Sequence, residues 1–311
     1  MSGFDIVVLG DANPDLILRG GDVVPAFGQA ERLVDEATLT VGGSGGIFAC
    51  AAARLGLSVA FVGVVGDDRF GRYMCEELEA NGVNTDGVVT DQDRPTGVTV
   101  VLSTPTDRAM LTALGTVGDL RADRVDPAIL AQARHVHVSS YYLQRSLAPD
   151  LPRIFAEVRA AGATTSVDPN WDPSGRWDDA LLRLLASVDV FLPNEMEALS
   201  LAHISELDRA IARLREAGAG VVVVKRDGDG AVAADGSGIV RIEGHVVPVV
   251  DGTGAGDAFD AGFLASWLAG EPLERSLAVG NACGAAAVGA PGGTAALSTM
   301  DEALELAGAS R

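Results

Sequence analysis

The sequence predicts an α/β fold in which a parallel β-sheet is covered by helices on both faces. Continuous apolar, β-branched runs alternate with segments of helical periodicity, as in sheets buried on both sides. The predicted strands are Ile6–Leu9, Val59–Val62, Val136–Ser139, Thr164–Val167, Val188–Leu192 and Val221–Val224. The predicted helices include Arg69–Ala80, Leu151–Ala161, Ala180–Ala186 and Leu207–Ala217. Glycines stand where these helices should end, which is typical of helix C-termini.

Two stretches show strand-like alternation with turn residues and no intervening helix. They span approximately residues 16–41 and 97–114, and we expect them to form one small antiparallel sheet that covers a cleft. Ala231–Val247 resembles a hairpin with Asp235 and Gly236 at its turn. The 311 residues contain no repeat or long linker, so we expect a single domain, residues 1–311, with a small lid.

The charge balance restricts the ligands that the surface can attract. The chain has 43 acidic and 23 basic residues, which gives a net charge of −20. So acidic a surface repels nucleic acid and anionic lipid, and we expect neither as a partner. An anionic ligand would have to be held locally. Lys225 is the only lysine, so the Gly-Lys-Ser or Gly-Lys-Thr signature of a P-loop is absent.

Cysteine usage and the N-terminal sequence predict a cytoplasmic protein. Cys50, Cys75 and Cys283 are odd in number and lack metal-ligand spacing, so we expect buried thiols in a reducing compartment. The first residues show no basic segment or cleavage site of a secretory signal.

The strongest chemical motif lies in residues 248–264. A short strand leads to Asp251, a glycine-rich turn follows, and a helix begins near Gly254. The free N–H groups of such a helix end can bind an anion, most often phosphate, and Asp257 would lie beside it. We expect Gly256 to need a positive φ or to approach a phosphate closely. The alternatives are a plain turn with Asp257 favouring the helix dipole, or a dinucleotide site, which Phe259 disfavours.

Four motifs, in order along the chain, resemble the PfkB (ribokinase-like) carbohydrate kinase family. Gly-Thr-Gly-Ala-Gly-Asp-Ala-Phe, residues 252–259, is similar to the second family signature, and residues 42–56 are similar to the first. Residues 10–15 resemble the first strand with its substrate aspartate, and residues 194–197 match the family's Asn-x-x-Glu motif. The resemblance implies a three-layer, ribokinase-like fold with a small β-sheet lid.

The resemblance also implies a phosphotransferase that acts on an alcohol group of a small sugar-like acceptor. Asp257 would be the general base, and the amides of Gly254, Ala255 and Gly256 would form the anion hole for the γ-phosphate of ATP. Residues near the first strand and in the first signature, together with one glutamine, would contact the acceptor. They are Asn13, Asp15, Gly42, Gly43, Ile47 and Gln144.

The nucleotide and metal sites are likewise implied by the resemblance. The nucleotide would contact Asn194, Lys225, Gly228, Gly230 and Asn281. Mg²⁺ would be held near Glu197, through water. Asp251 and Thr253 resemble positions near a monovalent-cation site, which is K⁺ in many members. Family members often pair through the lid sheet, which implies a homodimer.

Three residues depart from the family pattern. Ile47 replaces an asparagine that touches the sugar in most sugar kinases, Gly252 replaces a threonine, and Asp227 replaces a glycine near the nucleotide. Isoleucine offers a hydroxyl no hydrogen bond, so we expect an acceptor that is apolar or truncated on that side. The alternative is that Ile47 turns into the core and that Gln144 takes over the contact.

Other functions fit parts of the sequence. A nucleoside kinase of the same family is the nearest alternative, and a non-catalytic ligand sensor is a more distant one. Gly42-x-Ser44-x-Gly46 with Asp168 and His245 formally matches a hydrolase triad, but too few strands precede it. His135 and His137 share one face of a strand without a third ligand nearby, which favours a structural role over metal binding.

Overall fold

Within residues 3–104 and 108–308, which the computed structural model describes, the chain forms fourteen strands and ten α-helices. The strands are β1 (Phe4–Leu9), β2 (Asn13–Arg19), β3 (Glu36–Gly42), β4 (Val59–Val62), β5 (Val64–Gly66), β6 (Val89–Asp91), β7 (Val98–Ser103), β8 (Arg108–Ala113), β9 (Ala133–Val138), β10 (Thr164–Val167), β11 (Val190–Phe191), β12 (Val221–Lys225), β13 (Ala231–Asp235) and β14 (Gly238–Ile242). The helices are α1 (Ser44–Arg54), α2 (Arg69–Ala80), α3 (Pro127–Leu130), α4 (Leu151–Ala160), α5 (Asp179–Leu184), α6 (Glu195–Ala202), α7 (Leu207–Glu216), α8 (Ala255–Leu268), α9 (Leu273–Ala287) and α10 (Met300–Gly308).

The main sheet has eight strands in the order β14-β13-β12-β11-β10-β9-β1-β4. The six strands from β12 to β4 are parallel, and β13 and β14 add an antiparallel hairpin at one edge. β1 lies between β4 and β9, since Val7 pairs with Ala60 of β4 on one side and with Val136 of β9 on the other. The predicted α/β class and the predicted hairpin are confirmed.

Helices cover both faces of this sheet, which gives three layers. On β1, Val7 and Leu9 pack into one apolar core with α3 to α7, whereas Ile6 and Val8 pack into a second core with α1, α2, α8, α9 and α10. Alternate side chains of one strand therefore serve two cores, which explains the continuous apolar sequence of the strands. Among the described residues, no helix has both the length and the apolar sequence needed to cross a membrane.

Helix α8 packs between α1 and α9, and glycines set the distance to α9. A Cβ on Gly262 would lie 2.6 Å from Sγ of Cys283, and a Cβ on Gly284 would lie 3.1 Å from the carbonyl oxygen of Ala255. Side chains at these positions would push the helices apart. The three cysteines are free thiols: Cys50 and Cys283 are buried as predicted, whereas Cys75 is half-buried.

A separate four-stranded sheet has the order β3-β2-β7-β8. The sequence predicts an antiparallel sheet here, but β2 and β7 pair in parallel, so the sheet is mixed. The parallel pair arises because the chain returns to this sheet only after forming α1, β4 and α2. Residues 105–107 of the predicted lid segment lie outside the described residues. The division into one domain and a lid stays a prediction.

Two histidines form a buried polar row on the main sheet. Both ring nitrogens of His135 lie within 2.7 Å of a hydroxyl, from Thr164 and Ser166, and Nδ1 of His137 lies 2.7 Å from the same Ser166 hydroxyl. The ring of His137 also stacks on Phe48 of α1 at 4.0 Å. Burial lowers the pKa of His135 to about 3 and places the pKa of His137 well below its usual value. These contacts support the structural role.

We expect the two histidines to make the free energy of unfolding sensitive to pH. The unfolded chain takes up protons on both rings below about pH 6.5, while the folded protein does not, so stability falls as the pH drops from 7 towards the folded pKa values. Between pH 7 and 5.5 this loss is roughly 1 kcal/mol for each histidine. Urea unfolding of the wild type and of His135→Gln/His137→Gln at both pH values measures it. Equal pH dependence in the two proteins would contradict the prediction.

Candidate active site

Polar residues follow the parallel strands where their carboxyl ends meet. Asp11 comes after β1, Ser139 and Ser140 after β9, Asp168 after β10, and Lys225 ends β12. In open parallel sheets this edge is where ligands bind. The N-terminus of α8 lies at the same edge. Acidic groups, the ammonium of Lys225 and the start of a helix are therefore close together there.

The glycine-rich turn before α8 ends in a left-handed residue. Gly254 is the N-cap with a φ of 76°, and a Cβ there would lie 2.7 Å from the Cα of Gly293. Because the N-cap is a glycine, it has no side chain that could cap this helix, and the first-turn amides can bind an anion. The prediction that Gly256 needs a positive φ is wrong, because Gly256 lies within the helix. Among the described residues, a Cβ at this position would meet only the side chain of Lys225, at 3.8 Å. The backbone constraint falls on Gly254.

Asp257 lies in the first turn of α8 and is half-buried. Burial and the charge of Asp168 raise its pKa to about 8, while Lys225 and a hydrogen bond from Ser44 act in the opposite direction. A carboxylate with a pKa near neutrality can accept a proton from an alcohol more readily than an ordinary aspartate. The same bond places the Ser44 hydroxyl against a carboxylate, which does not support its role as a hydrolase nucleophile.

Three of the residues predicted to hold the acceptor, Asn13, Asp15 and Gly42, lie together on the paired strands β2 and β3. Asp15 is 6% exposed, and burial together with the charge of Asp11 raises its pKa to about 7. A Cβ on Gly42 would lie 2.2–2.6 Å from the Asp15 carboxyl group, so only glycine leaves that group space. Asn13 donates to Thr99 at 3.3 Å, and Gly43 has a φ of 73°.

Ile47 and Gln144 are both buried. Ile47 is 3% exposed, and its side chain packs against Gly293 and Gly254, beneath the turn that leads into α8. This packing favours the alternative in which Ile47 belongs to the core. Gln144 is 1% exposed, and neither atom of its amide has a hydrogen-bond partner among the described residues. Burying an amide without a hydrogen-bond partner destabilises the fold, so we expect a ligand or a water molecule to form hydrogen bonds with this side chain.

A cavity of about 480 Å³ lies beside the N-terminus of α8. Four of the five residues predicted to contact the nucleotide line it, and Ala255 and Gly256 of the predicted anion hole line it too. These four residues are Lys225, Gly228, Gly230 and Asn281. Asp227 also lines the cavity and takes the left-handed conformation, with a φ of 49°, which a glycine would adopt more easily.

The fifth residue, Asn194, caps a helix. Its side chain accepts a hydrogen bond from the amide of Glu197 at 2.9 Å, and the Glu197 carboxylate accepts one from the amide of Asn194 at 2.8 Å. This reciprocal pair is a capping box at the start of α6. Glu197 is 5% exposed, and burial and Asp168 raise its pKa to about 7. The Asn-x-x-Glu motif therefore has a structural role, whatever it contributes to a metal.

The predicted monovalent-cation residues contact an arginine from the small sheet. Nη1 of Arg108 on β8 lies 2.8 Å from Oγ1 of Thr253 and 3.4 Å from Oδ1 of Asp251. The other carboxylate oxygen of Asp251 accepts from the amide of Gly292 at 2.9 Å. Burial would raise the pKa of Asp251, but these hydrogen bonds and Thr253 lower it. A positive charge is thus already supplied to this carboxylate.

Sequence reasoning missed three carboxylates as members of a kinase site: Asp11, Asp168 and Asp260. Asp11 accepts from the amide of Gly45 at the start of α1, and Asp168 and Asp260 both contact Lys225. The first two follow strands at the carboxyl edge of the main sheet, so the usual position of ligands in open parallel sheets could have indicated them. Asp260, inside α8, gave no such signal.

Comparisons with known proteins identify the family of this chain. The model of the pfkB family carbohydrate kinases matches residues 4–300. The chain is 32% identical over 296 residues to an ATP-dependent ribose-1-phosphate kinase of Halopiger xanaduensis, covering 94% of each chain, and 34% identical over 272 residues to a fructokinase of Salmonella typhimurium, covering 82% and 88%. A crystal structure of a putative ribokinase II from E. coli in complex with ATP and Mg²⁺ superimposes with a TM-score of 0.87 at 28% identity, covering 97% of this chain and 98% of that one. With the fold and these relatives in agreement, the chain belongs to the pfkB family of carbohydrate kinases.

Proposed function

We propose that this kinase transfers the γ-phosphate of ATP to a hydroxyl of a small sugar or sugar-like acceptor, with Asp257 as the general base. Asp257 would take the hydroxyl proton while the acceptor oxygen attacks the γ-phosphorus, and the bond from that phosphorus to ADP would break. The observation that carries the proposal is the position of Asp257. It shares the first turn of α8 with Ala255 and Gly256, which line the 480 Å³ cavity, and its carboxyl group accepts a hydrogen bond from Ser44.

The cavity supports a nucleotide site in which the lining cations Lys225 and Arg226 are already paired with carboxylates of the protein. Its glycines allow close approach of a ligand to the backbone, and the amides of Ala255 and Gly256 open towards it. Among the described residues, no three His, Cys, Asp or Glu side chains form a ready metal cage. This fits Mg²⁺, which keeps several waters and binds through one or two carboxylates plus substrate phosphates. When bound, Mg²⁺ neutralises developing phosphate charge, and Glu197 would hold it through water.

The acceptor would be anchored by Asp15. Its buried carboxyl group lies in a space kept open by Gly42, beside Asn13, and suits a pair of hydroxyl groups. The Gln144 amide is a second candidate contact because it is unpaired among the described residues. The packing of Ile47 beneath the α8 turn weakens the expectation of a truncated acceptor, so fully hydroxylated sugars and sugar phosphates stay within the proposed substrate class.

The small sheet would act as a lid and as a contact between two copies of the chain. Every residue of β8 is exposed, and Met110 and Leu111 are 59% and 62% exposed. An edge strand with apolar side chains is a surface that a second strand can cover. We therefore propose that two copies of the chain form a homodimer through this sheet.

Replacing Asp257 with asparagine tests the base. The variant keeps the size of the side chain but cannot accept the proton, so kcat should fall roughly 10²-fold or more with ATP affinity nearly unchanged. In the wild type, kcat/KM should rise with pH up to about 8, because only the ionised carboxylate is a base and its pKa is about 8.

Asp301→Asn is the matched control, since Asp301 is an exposed aspartate in the first turn of α10. Its turnover should equal that of the wild type. ADP release by Asp257→Asn at the wild-type rate would rule out Asp257 as the base.

A panel of acceptors tests the substrate class. Sugars, deoxysugars, sugar phosphates and nucleosides are compared by ADP release, and the preferred acceptor should carry a diol. Asp15→Asn should lower kcat/KM for that acceptor by about 10- to 100-fold, because a hydrogen bond to a charged group is lost. Preference for nucleosides would favour the nucleoside-kinase alternative, and ATP binding without turnover on any acceptor would favour a sensor.

The contact of Arg108 with Asp251 and Thr253 predicts little dependence on K⁺. The guanidinium already provides the charge that a monovalent cation would bring, so replacing K⁺ with tetramethylammonium should change the wild-type rate less than about twofold. Arg108→Ala should lower the rate several-fold, and K⁺ should then restore part of it. A wild-type enzyme that needs K⁺ for turnover would contradict this prediction.

A further inference from the structure

The only lysine of the chain has all its hydrogen-bonding capacity directed at carboxylates. Nζ of Lys225 lies 2.6 Å from Oδ2 of Asp168, and 3.0 and 2.9 Å from the two oxygens of Asp260. An ammonium has three N–H donors, and three carboxylate oxygens surround this one. The side chains of Lys225, Asp168 and Asp260 are 12%, 10% and 1% exposed. The sequence predicts that Lys225 contacts the nucleotide, but its donors are used within the protein.

The contact joins three elements of the fold. Lys225 ends β12, Asp168 follows β10, and Asp260 lies one turn after Asp257 on α8. The lysine side chain also runs along the start of α8, since a Cβ on Gly256 would lie 3.8–3.9 Å from its Nζ, Cε and Cδ. The ammonium thus ties the first turn of α8 to the carboxyl edge of the sheet.

The identity of the residue has a physical reason. The other 22 basic residues, from 23 in all less this lysine, are arginines. A guanidinium is planar and much larger than an ammonium, and its five donors fan out in a fixed fork. Because the ammonium lies within 3.0 Å of three carboxylate oxygens and beside Gly256, we expect an arginine at this position to displace at least one of these groups.

We propose that Lys225, held by Asp168 and Asp260, is a positioning residue that fixes the first turn of α8 and with it the anion hole and Asp257. The proposal rests on the proposed function of Asp257. In this role the ammonium binds the protein's own carboxylates, and the backbone amides of α8 bind the phosphates. If Lys225 were a nucleotide contact, its ammonium would bind the phosphates directly.

The charges around Asp257 support this role. Asp11 from β1, Ser44 from α1, Asp168 from β10 and Lys225 from β12 all act on its carboxyl group. Burial, Asp168 and Asp11 raise its pKa, whereas the charge of Lys225 and the hydrogen bond from Ser44 lower it. Asp260 and Glu197 act on Lys225 itself: burial alone would lower the lysine pKa, but Asp168, Asp260 and Glu197 raise it.

The first test compares Lys225→Met and Lys225→Arg with the wild type. Both should lower kcat at saturating ATP roughly 10²-fold, the first by removing the charge and the second by displacing the α8 turn. The Kd for ADP, measured by calorimetry, should change less than about threefold, because ADP lacks the γ-phosphate that the anion hole would hold. Arg159→Met, which removes a positive charge from the exposed pair with Asp189, is the control and should leave both constants unchanged. A Kd for ADP raised more than about tenfold in Lys225→Met would overturn the proposal in favour of a direct contact between the ammonium and the nucleotide phosphates.

The second test is the pH profile of kcat/KM. Lys225→Met should move the rising limb to higher pH by about one unit, and Asp168→Asn should move it to lower pH, because the two charges act on Asp257 with opposite signs. A merely structural role would lower the rate without moving the limb, and unmoved limbs in both variants would overturn the proposal.

The double variant Lys225→Met/Asp260→Asn keeps the test open if Lys225→Met alone does not fold. It removes both charges of the more buried pair and keeps the volume, so we expect it to fold, with a melting temperature below that of the wild type because Asp168 loses its partner. We expect kcat still to be lowered at least about tenfold. Wild-type kcat in this folded variant would overturn the proposal. Loss of turnover in Asp257→Asn together with normal turnover in the double variant would reject this inference alone, whereas normal turnover in Asp257→Asn would reject the proposed function.

Discussion

One buried ammonium between two buried carboxylates connects the main sheet to the helix that bears Asp257. Lys225, Asp168 and Asp260 come from two strands and one helix, and each would be unfavourable at its position without the others. Burial raises the pKa of Asp260 well above its usual range, and the lysine opposes that effect. The arrangement leaves little charge exposed, yet it sets both the position of α8 and the charge around its first turn.

The glycines of α8 and its surroundings make that position possible. Gly262 and Gly284 bring α8 and α9 together, and Gly254 turns the chain into the helix in a left-handed conformation against Gly293. The N-terminus of α8 can therefore reach the carboxyl edge with its amides uncovered. In a chain with a net charge of −20, these amides are a local source of positive potential that does not depend on basic side chains.

The acidic site and the small sheet are electrostatically connected. Asp11 and Asp251 both raise the pKa of Asp15 on β2, whereas Arg108 on β8 lowers it. The same arginine contacts the turn before α8. Arg108 of the small sheet thus offsets part of the negative charge of both Asp15 and Asp251.

The sequence by itself determined the α/β class, because buried parallel strands need apolar residues on both faces and the helices between them need a period of 3.6. It also determined the position of Asp257 beside a glycine-rich helix start, since local motifs specify local geometry. Only the tertiary structure decided how distant residues meet: that Ile47 packs beneath the α8 turn, that Arg108 reaches Asp251, and that Lys225 lies between Asp168 and Asp260. The physical reason is that these contacts join residues far apart in the chain, and spacing along a sequence does not encode distances between separate elements.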